Sequence, residues 1–281
     1  MNDGADTAGA PLIIAVAPNG ARKTQADHPA LPIGPAELAR TAAECREAGA
    51  SMIHLHVRDR EQRHSLDADA YRSAIEAIRQ QVGTAMILQM TTEAVGLYRP
   101  EEQMAAVRAV KPEAVSLAVR ELCAAESDVP GFATFLAWLH EERITPQFIV
   151  YSDADVRRFA NLHRQGVVPC ERPFLLYVLG RYTAGQKSVP ADLIPFLNAA
   201  DGLDAEWAMC AFGRLEGACA LTAAALGGHV RVGFENNLLL ADGSTAPDNA
   251  ALVRQTADAA GLAGRSVADA ATARQILGRS A

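Results

Sequence analysis

No apolar run in the chain approaches the roughly 18 to 20 residues needed to span a bilayer, so a membrane partner is not expected. Excess positive charge is also missing. The chain has 26 Lys+Arg against 33 Asp+Glu, a net charge of -7. A protein that grips a nucleic-acid backbone carries a basic stripe, so nucleic acid is not the expected partner, and the acidic balance argues for solubility alone. Cysteine is scarce and unpatterned. Cys45, Cys123, Cys170, Cys210 and Cys219 are odd in number and widely scattered, which fits neither a disulfide framework nor a CxxC metal site; they read as reduced core thiols. No basic segment followed by a short apolar one opens the chain, so the expected compartment is the cytoplasm. There is no Pro/Gly/Ser linker, composition shift, short repeat or low-complexity segment. One domain over 11–281 is expected, preceded by a small, polar, flexible tail at 1–10 (MNDGADTAGA). A hydrophobic content of 49% against 21% charged excludes a mainly disordered chain.

What the chain does have is regular alternation. Short apolar runs of strand length fall at 12–17, 51–57, 85–91, 114–119, 145–151, 173–179, 205–213 and 229–235, several rich in β-branched or aromatic residues. Helical segments lie between them. Gly34-Pro35 introduces a helix at 36–48 that Gly49 stops, and others are predicted at 67–81, 100–110, 130–143, 153–165, 190–198 and 214–226, with two more between 247 and 277. Eight strand–helix alternations in an α/β chain of this length predict a single-domain (β/α)8 TIM barrel with extra C-terminal helices. An open doubly wound sheet produces the same alternation.

Strands covered by helices outside and packed side chains inside should read apolar throughout, because a buried polar group is costly unless it is paired. Two strands break this rule with the same parity. In 51–59, Ile53, Leu55 and Val57 form one face, and Met52, His54, His56 and Arg58 the other. The strand period puts both histidines on one side, about 6.6 Å apart along the strand, toward the end where barrel enzymes keep their active sites. In 229–235, Val230, Val232 and Phe234 form the apolar face, while His229, Arg231, Gly233 and Glu235 form the other. His54, His56 and Glu235 thus predict a two-histidine, one-carboxylate site with open positions. Such a site suits Zn²⁺ as a Lewis acid and also Fe²⁺ or Mn²⁺. A pair of hydrogen-bonded core histidines is the alternative that the pattern leaves open.

Weaker candidates surround this set. Thr91, Thr92 and Glu93 end the third strand, where backbone and hydroxyls can hold a carboxylate. Arg214, after the seventh strand, can reach an anionic substrate or cap a helix. Gly227-Gly228 reads as a helix stop rather than a phosphate cradle. Trp207, Met209 and Phe212 read as core, His140 and His163 as surface, and His28 and His64 as loop residues able to approach a site.

The segment ALPIGPAELARTAAECREAGASMIHLHVRD, with GGHVRVGFENN, WAMCAFGR and the closing ATARQILG, resembles the β-keto acid cleavage enzymes over about 12–278. The resemblance implies a usually oligomeric (β/α)8 barrel with one catalytic zinc on His54, His56 and Glu235. It implies a transferase that takes a β-keto acid and an acyl-CoA, usually acetyl-CoA, and returns acetoacetate and a new acyl-CoA by C–C bond cleavage. Zinc would chelate the keto acid and stabilise the enolate, and Arg231 would orient the base or bind an anionic oxygen.

The departures from the family pattern are also informative. Where the family carries an aspartate as general base after the metal-binding glutamate, this chain has Asn236, an amide that cannot accept a proton at neutral pH. The family's Ser-Thr-Gly-Gly reads Thr91-Thr92-Glu93-Ala94, its Asn-Ala-Gly is not evident at 116–120, a stretch usually carrying glutamates reads QFIVY at 147–151, and an early loop that can be acidic reads GARKT at 20–24. Glu93 is thus a new carboxylate positioned to stand in for the missing base. The expected substrate therefore differs from that of the amino-keto acid enzymes of the family. Two other readings stand beside this one. The first is a zinc-containing barrel that lost its base and binds a keto acid or acyl-CoA without turnover. The second is a metal-dependent hydrolase, which would need further histidines on later strands, and His229 sits at the wrong end of its strand.

Overall fold

The structure, a computed structural model, describes residues 9–278; the first eight residues of the expected tail lie outside that range. In chain order the elements are β1 (Ile14–Val16), α1 (Pro35–Glu47), β2 (Met52–Leu55), β3 (Val57–Arg58), β4 (His64–Ser65), α2 (Ala68–Val82), β5 (Ile87–Thr91), α3 (Pro100–Val110), β6 (Ala114–Ala118), the single turn α4 (Val119–Leu122), α5 (Val129–Glu141), β7 (Thr145–Val150), α6 (Asp153–Arg164), β8 (Phe174–Leu179), α7 (Ile194–Ala199), β9 (Glu206–Ala211), α8 (Glu216–Ala225), β10 (His229–Val232), α9 (Asn249–Ala260) and α10 (Ala270–Ile276). Eight strands close a barrel in the order β1-β10-β9-β8-β7-β6-β5-β2, and β1 pairs in parallel with both β10 and β2. That closure excludes the open doubly wound sheet. Helix α9 completes the eighth β/α unit, so α10 is the extra C-terminal helix. Among the described residues no helix is long and apolar enough to cross a membrane.

Strand alternation sorts the core into two layers. Ile14, Val16, Ile53, Leu55, Leu88, Met90, Val115, Leu117, Phe148, Val150, Leu175, Val230 and Val232 pack outward under the helices. Ile13, Ala15, Met52, Ile87, Ala114, Ile149, Phe174, Leu176, Val178, Ala208 and Cys210 fill the barrel. The helices present matching stripes: in α1, Leu38, Ala39, Thr41, Ala42 and Cys45 are buried, the spacing of a single helical face. Their starts are fixed locally. The Glu37 carboxylate accepts from the backbone of Ile33 and Gly34, and Asp67 and Ser152 cap α2 and α6, each such cap contributing about 1 kcal/mol. At the barrel's N-terminal end, Glu113 accepts from Arg79 of α2 and from Arg274 of α10, the latter at 2.7 Å, which ties the extra helix to the rim.

Two expected strands end early, for different reasons. The run 51–57 stops at Leu55; Val57 and Arg58 then turn back in a two-stranded antiparallel pair with Ser65 and His64. The run 229–235 stops at Val232 because Gly233 has φ +135, and a Cβ there would lie 2.5 Å from the Ala17 carbonyl oxygen. Only glycine turns the chain at that point. Glu235 consequently comes from the turn beyond β10, and His56 from the link between β2 and β3.

Candidate active site

The early strand ends do not scatter the histidines and the carboxylate. Candidate ligand atoms of His54, His56 and Glu235 all lie within 4.8 Å of one another. His54 Nε2 is 3.1 Å from His56 Nε2, and Glu235 Oε2 is 3.7 and 3.4 Å from the two. A glycine makes room for the carboxylate: a Cβ on Gly20, which has φ +62, would lie 2.6 Å from Glu235 Cγ. The loop bearing Gly20 is held by Arg58, whose guanidinium donates to the carbonyls of Asn19, Gly20 and Lys23. Lys23 Nζ in turn donates to the Glu235 carbonyl at 2.7 Å.

Hydrogen bonding decides whether the histidines face each other as a bonded pair or as two ligands. Gln89 Nε2 donates to Gln147 Oε1 at 3.0 Å, so its Oε1 faces His54 Nδ1 at 2.8 Å and accepts the proton there. His64 Nε2 donates to the Glu93 carbonyl at 2.8 Å, which leaves His64 Nδ1 as an acceptor for His56 Nδ1, 3.4 Å away. Both site imidazoles thus carry their proton on Nδ1 and turn the Nε2 lone pair inward. Burial first, and then the neighbouring Arg231 charge, hold the His54 pKa down at about 3, and burial does the same to His64. Burial pushes the Glu235 carboxyl up, but the Arg231 charge beside it outweighs this and holds it well below the usual carboxylate range. Two lone pairs and a carboxylate therefore converge with no proton between them, and Glu235 Oε2 is buried without a hydrogen-bond partner. A divalent cation satisfies that donor set, and a core histidine pair does not.

Arg231, from β10, donates through Nη2 to Glu235 Oε1 at 2.9 Å and also to Cys210 Sγ and Asn236 Oδ1, each at 3.3 Å, while its Nε has no partner. Asn236 is buried behind Arg231. Its amide donates to Glu216 Oε1 at 3.3 Å and to the Arg231 carbonyl. Glu216 also accepts from Asn237 and from the Gly233 backbone, and burial raises its pKa to about 8.

A cavity opens over the triad. It is lined by His54, His56, Thr91, Thr92, Glu93 and Glu235, with Ala118, Ile149, Tyr151, Val178, Arg181, Phe212 and Arg231 completing its wall. Of the sequence candidates, Thr91, Thr92, Glu93 and Arg231 are therefore brought to the triad. Thr91 Oγ1 accepts from the Glu93 amide, and Thr92 Oγ1 donates to the Ser116 carbonyl. Glu93 Oε1 accepts from Arg22 and Arg181, both at 3.1 Å. Burial raises its carboxyl above the ordinary value. Arg214 is exposed and does not line the cavity. His28 is held by the Ala246 carbonyl and packs on Phe234. His229 receives the Ile13 amide at the opposite end of the barrel. Phe212, read as core, forms part of the cavity wall.

Sequence reasoning missed Arg181, Gln89 and Glu216, and placed His64 only as a loop residue able to approach a site. Gln89 carried a usable signal, a polar side chain at inward parity in an apolar strand paired with His54.

Comparison with known proteins gives a consistent result. Residues 11–278 match the family described as beta-keto acid cleavage enzyme. The chain is 31% identical over 274 residues to a 3-keto-5-aminohexanoate cleavage enzyme of Fusobacterium nucleatum subsp. nucleatum, covering 95% of this chain and 97% of that one. It is 29% identical over 277 residues to a 3-oxoadipate:acetyl-CoA acetyltransferase of Cupriavidus necator, covering 95% of each. Among solved structures, the ternary complex of ObcA with a C4-CoA adduct and oxalate superposes with a TM-score of 0.73 at 16% identity, over 89% of this chain and 68% of that one, a likeness of fold.

Proposed function

The chain belongs to the beta-keto acid cleavage enzymes, and we propose that it is a divalent-metal-dependent transferase that converts a β-keto acid and acetyl-CoA into acetoacetate and a new acyl-CoA. The reading rests chiefly on the convergence of two fixed imidazole lone pairs on an otherwise unpartnered buried carboxylate oxygen. His54, His56 and Glu235 would hold the cation, zinc being the ion that best suits the set. When bound, the cation supplies Lewis-acid polarisation of a keto acid's oxygens.

The chain's own groups carry the proton work. On the family pattern an acid follows the metal-binding glutamate, but Asn236 is an amide facing away from the cavity. Glu93 takes over as base: its Oε1 is fixed by two arginines, its Oε2 takes no hydrogen bond among the described residues, and burial raises its basicity. It removes a proton from the methylene between the carboxylate and the ketone. Arg231, which lines the cavity, binds an anionic oxygen as charge develops, while Thr91 and Thr92 shape the wall against which the substrate carboxylate lies. The resulting carbanion displaces the CoA thiolate from the acetyl thioester, and the thiolate attacks the former keto carbon. Cleavage of the bond between that carbon and the methylene carbon, with the proton returned from Glu93, releases acetoacetate and the new acyl-CoA.

The test has two arms. Elemental analysis of the purified protein should find near-stoichiometric divalent metal that is lost in His54→Ala and in Glu235→Ala. A panel of β-keto acids with acetyl-CoA should yield acetoacetate and a new acyl-CoA, and Glu93→Gln should lower turnover by about 10²- to 10⁴-fold while keeping its metal. Metal-bearing wild type that binds keto acid but yields no product would leave a binding barrel instead. Unchanged turnover in Glu93→Gln would place the base elsewhere.

A further inference from the structure

The cavity wall ends on two guanidinium groups whose role in the reaction as described is to hold Glu93, and each has further N–H groups to offer. Arg181, on the loop after β8, has a side chain only 13% exposed and lines the cavity; Arg22, on the loop after β1, is 57% exposed and lines the adjoining opening. Both reach the same acceptor, Glu93 Oε1, each through one Nη nitrogen. Among the described residues, the remaining nitrogens of both groups, Nε and the other Nη, take no protein acceptor. Arg181 is also held in place, its guanidinium lying 5.2 Å from the Phe212 ring centroid and 5.9 Å from that of Tyr182.

Charge counting gives this corner a sign. Two permanent cations share one carboxylate, and the other acidic residue lining either opening, Glu235, already faces Arg231 and the histidines. Lys23, nearby, is engaged by the Glu235 carbonyl. An ammonium-bearing substrate would meet two guanidinium groups. An apolar tail would cover Arg181 and leave its unused N–H groups dry, which is costly. An anion would accept from them in the planar geometry that arginine offers to carboxylates.

We propose that the β-keto acid taken by this chain carries a second carboxylate at the end remote from the metal ligands, received by Arg181 with Arg22. Arg181 is thus the specificity-determining residue for a keto diacid. This rests on the reaction assigned above, and the experiment separates the two.

The probes are three β-keto acids of six-carbon chain: 3-oxoadipate with a terminal carboxylate, 3-oxohexanoate with a methyl end, and 5-amino-3-oxohexanoate. Each is measured for kcat/KM with acetyl-CoA in wild type, Arg181→Met and Arg181→Lys. Adipate and hexanoate, which cannot react, are measured in parallel for binding by thermal shift. The expected result is a preference for the diacid of about ten- to a hundredfold, which collapses toward parity in Arg181→Met and is partly kept in Arg181→Lys, with adipate shifting the wild type more than hexanoate does. If Arg181→Met does not fold, Arg22→Met should show the same loss to a smaller degree. Turnover that favours the methyl-ended or amino acid, or a diacid preference that survives Arg181→Met, overturns the proposal and leaves the reaction standing. Adipate binding that depends on Arg181, with none of the three acids turned over, retains the anion site and overturns the reaction.

Discussion

His64 is not expected to touch a bound metal, yet it decides which nitrogen of His56 is available to one. Its Nε2 proton is committed to the Glu93 carbonyl, so its Nδ1 must accept the proton of His56 Nδ1. In His64→Phe the ring volume is kept and the acceptor is lost. His56 Nδ1–H is then buried without a partner, or the proton moves to Nε2 and removes the lone pair from the site. Either outcome costs about 1–3 kcal/mol as an unsatisfied buried donor. This agrees with the 10- to 100-fold typical of residues that orient a metal ligand, or about 1.4–2.7 kcal/mol. Zinc affinity measured by competition with a chromophoric chelator should weaken by that factor, with far-ultraviolet circular dichroism confirming the fold. His64→Asn, whose carboxamide oxygen can still accept, should recover part of the loss. Affinity in folded His64→Phe within twofold of wild type would refute the tautomer argument, because His56 would then orient itself unaided.

Two further outcomes follow from geometry already described. Gly20→Ala introduces a Cβ into space occupied by Glu235 Cγ, at a positive φ that alanine tolerates poorly, and should lower metal content together with about 1–3 kcal/mol of stability, read by elemental analysis and chemical denaturation; intact metal content would show that the loop yields instead of the carboxylate. Glu113→Gln probes the N-terminal rim. Burial raises this carboxyl, but Arg274 and Arg79 outweigh it and leave it below the ordinary 4.5. Because the folded value is the depressed one, the stabilisation is fully present above 4.5 and is lost as pH falls through the folded value. The variant should be about 1–3 kcal/mol less stable than wild type at pH 7, and the gap should close below pH 4.5; a gap independent of pH would mean that packing, not charge, is lost.

Much of the barrel was legible because it rests on local rules. Period-two alternation sorted inward from outward residues in the two strands that carry the histidines and Glu235, and Pro and Gly marked helix ends to within a few residues, as at 100–110. The triad was legible for the same reason, since His54 and His56 interrupt an apolar strand at one parity and Glu235 repeats it. The strand ends were not legible. Gly233 turns the chain because of a carbonyl on a different strand, Ala17, and the hairpin that places His64 behind His56 pairs residues across a loop. Gln89 was visible in pattern, but its role depends on register with His54. Arg181 sits just past a strand end, in a loop that local periodicity does not describe, so its meeting with Glu93 belongs to the fold alone.

The triad also sits across the seam where the ring of strands closes. His54 lies on β2, Glu235 follows β10, and β1, between them, pairs with both; His56 and the Gly20 loop emerge beside the same junction. The two sides of this seam come from opposite ends of the polypeptide, so a ribosome releases the carboxylate long after the imidazoles. A cation bound there would act as a staple between β2 and β10, across the first strand. By mass action it would strengthen the closed ring by about 2.7 kcal/mol at a free concentration one hundred times its Kd. The ion that polarises the substrate would then also resist the opening of the barrel at its own join, linking metal supply to the lifetime of the folded chain as well as to its rate.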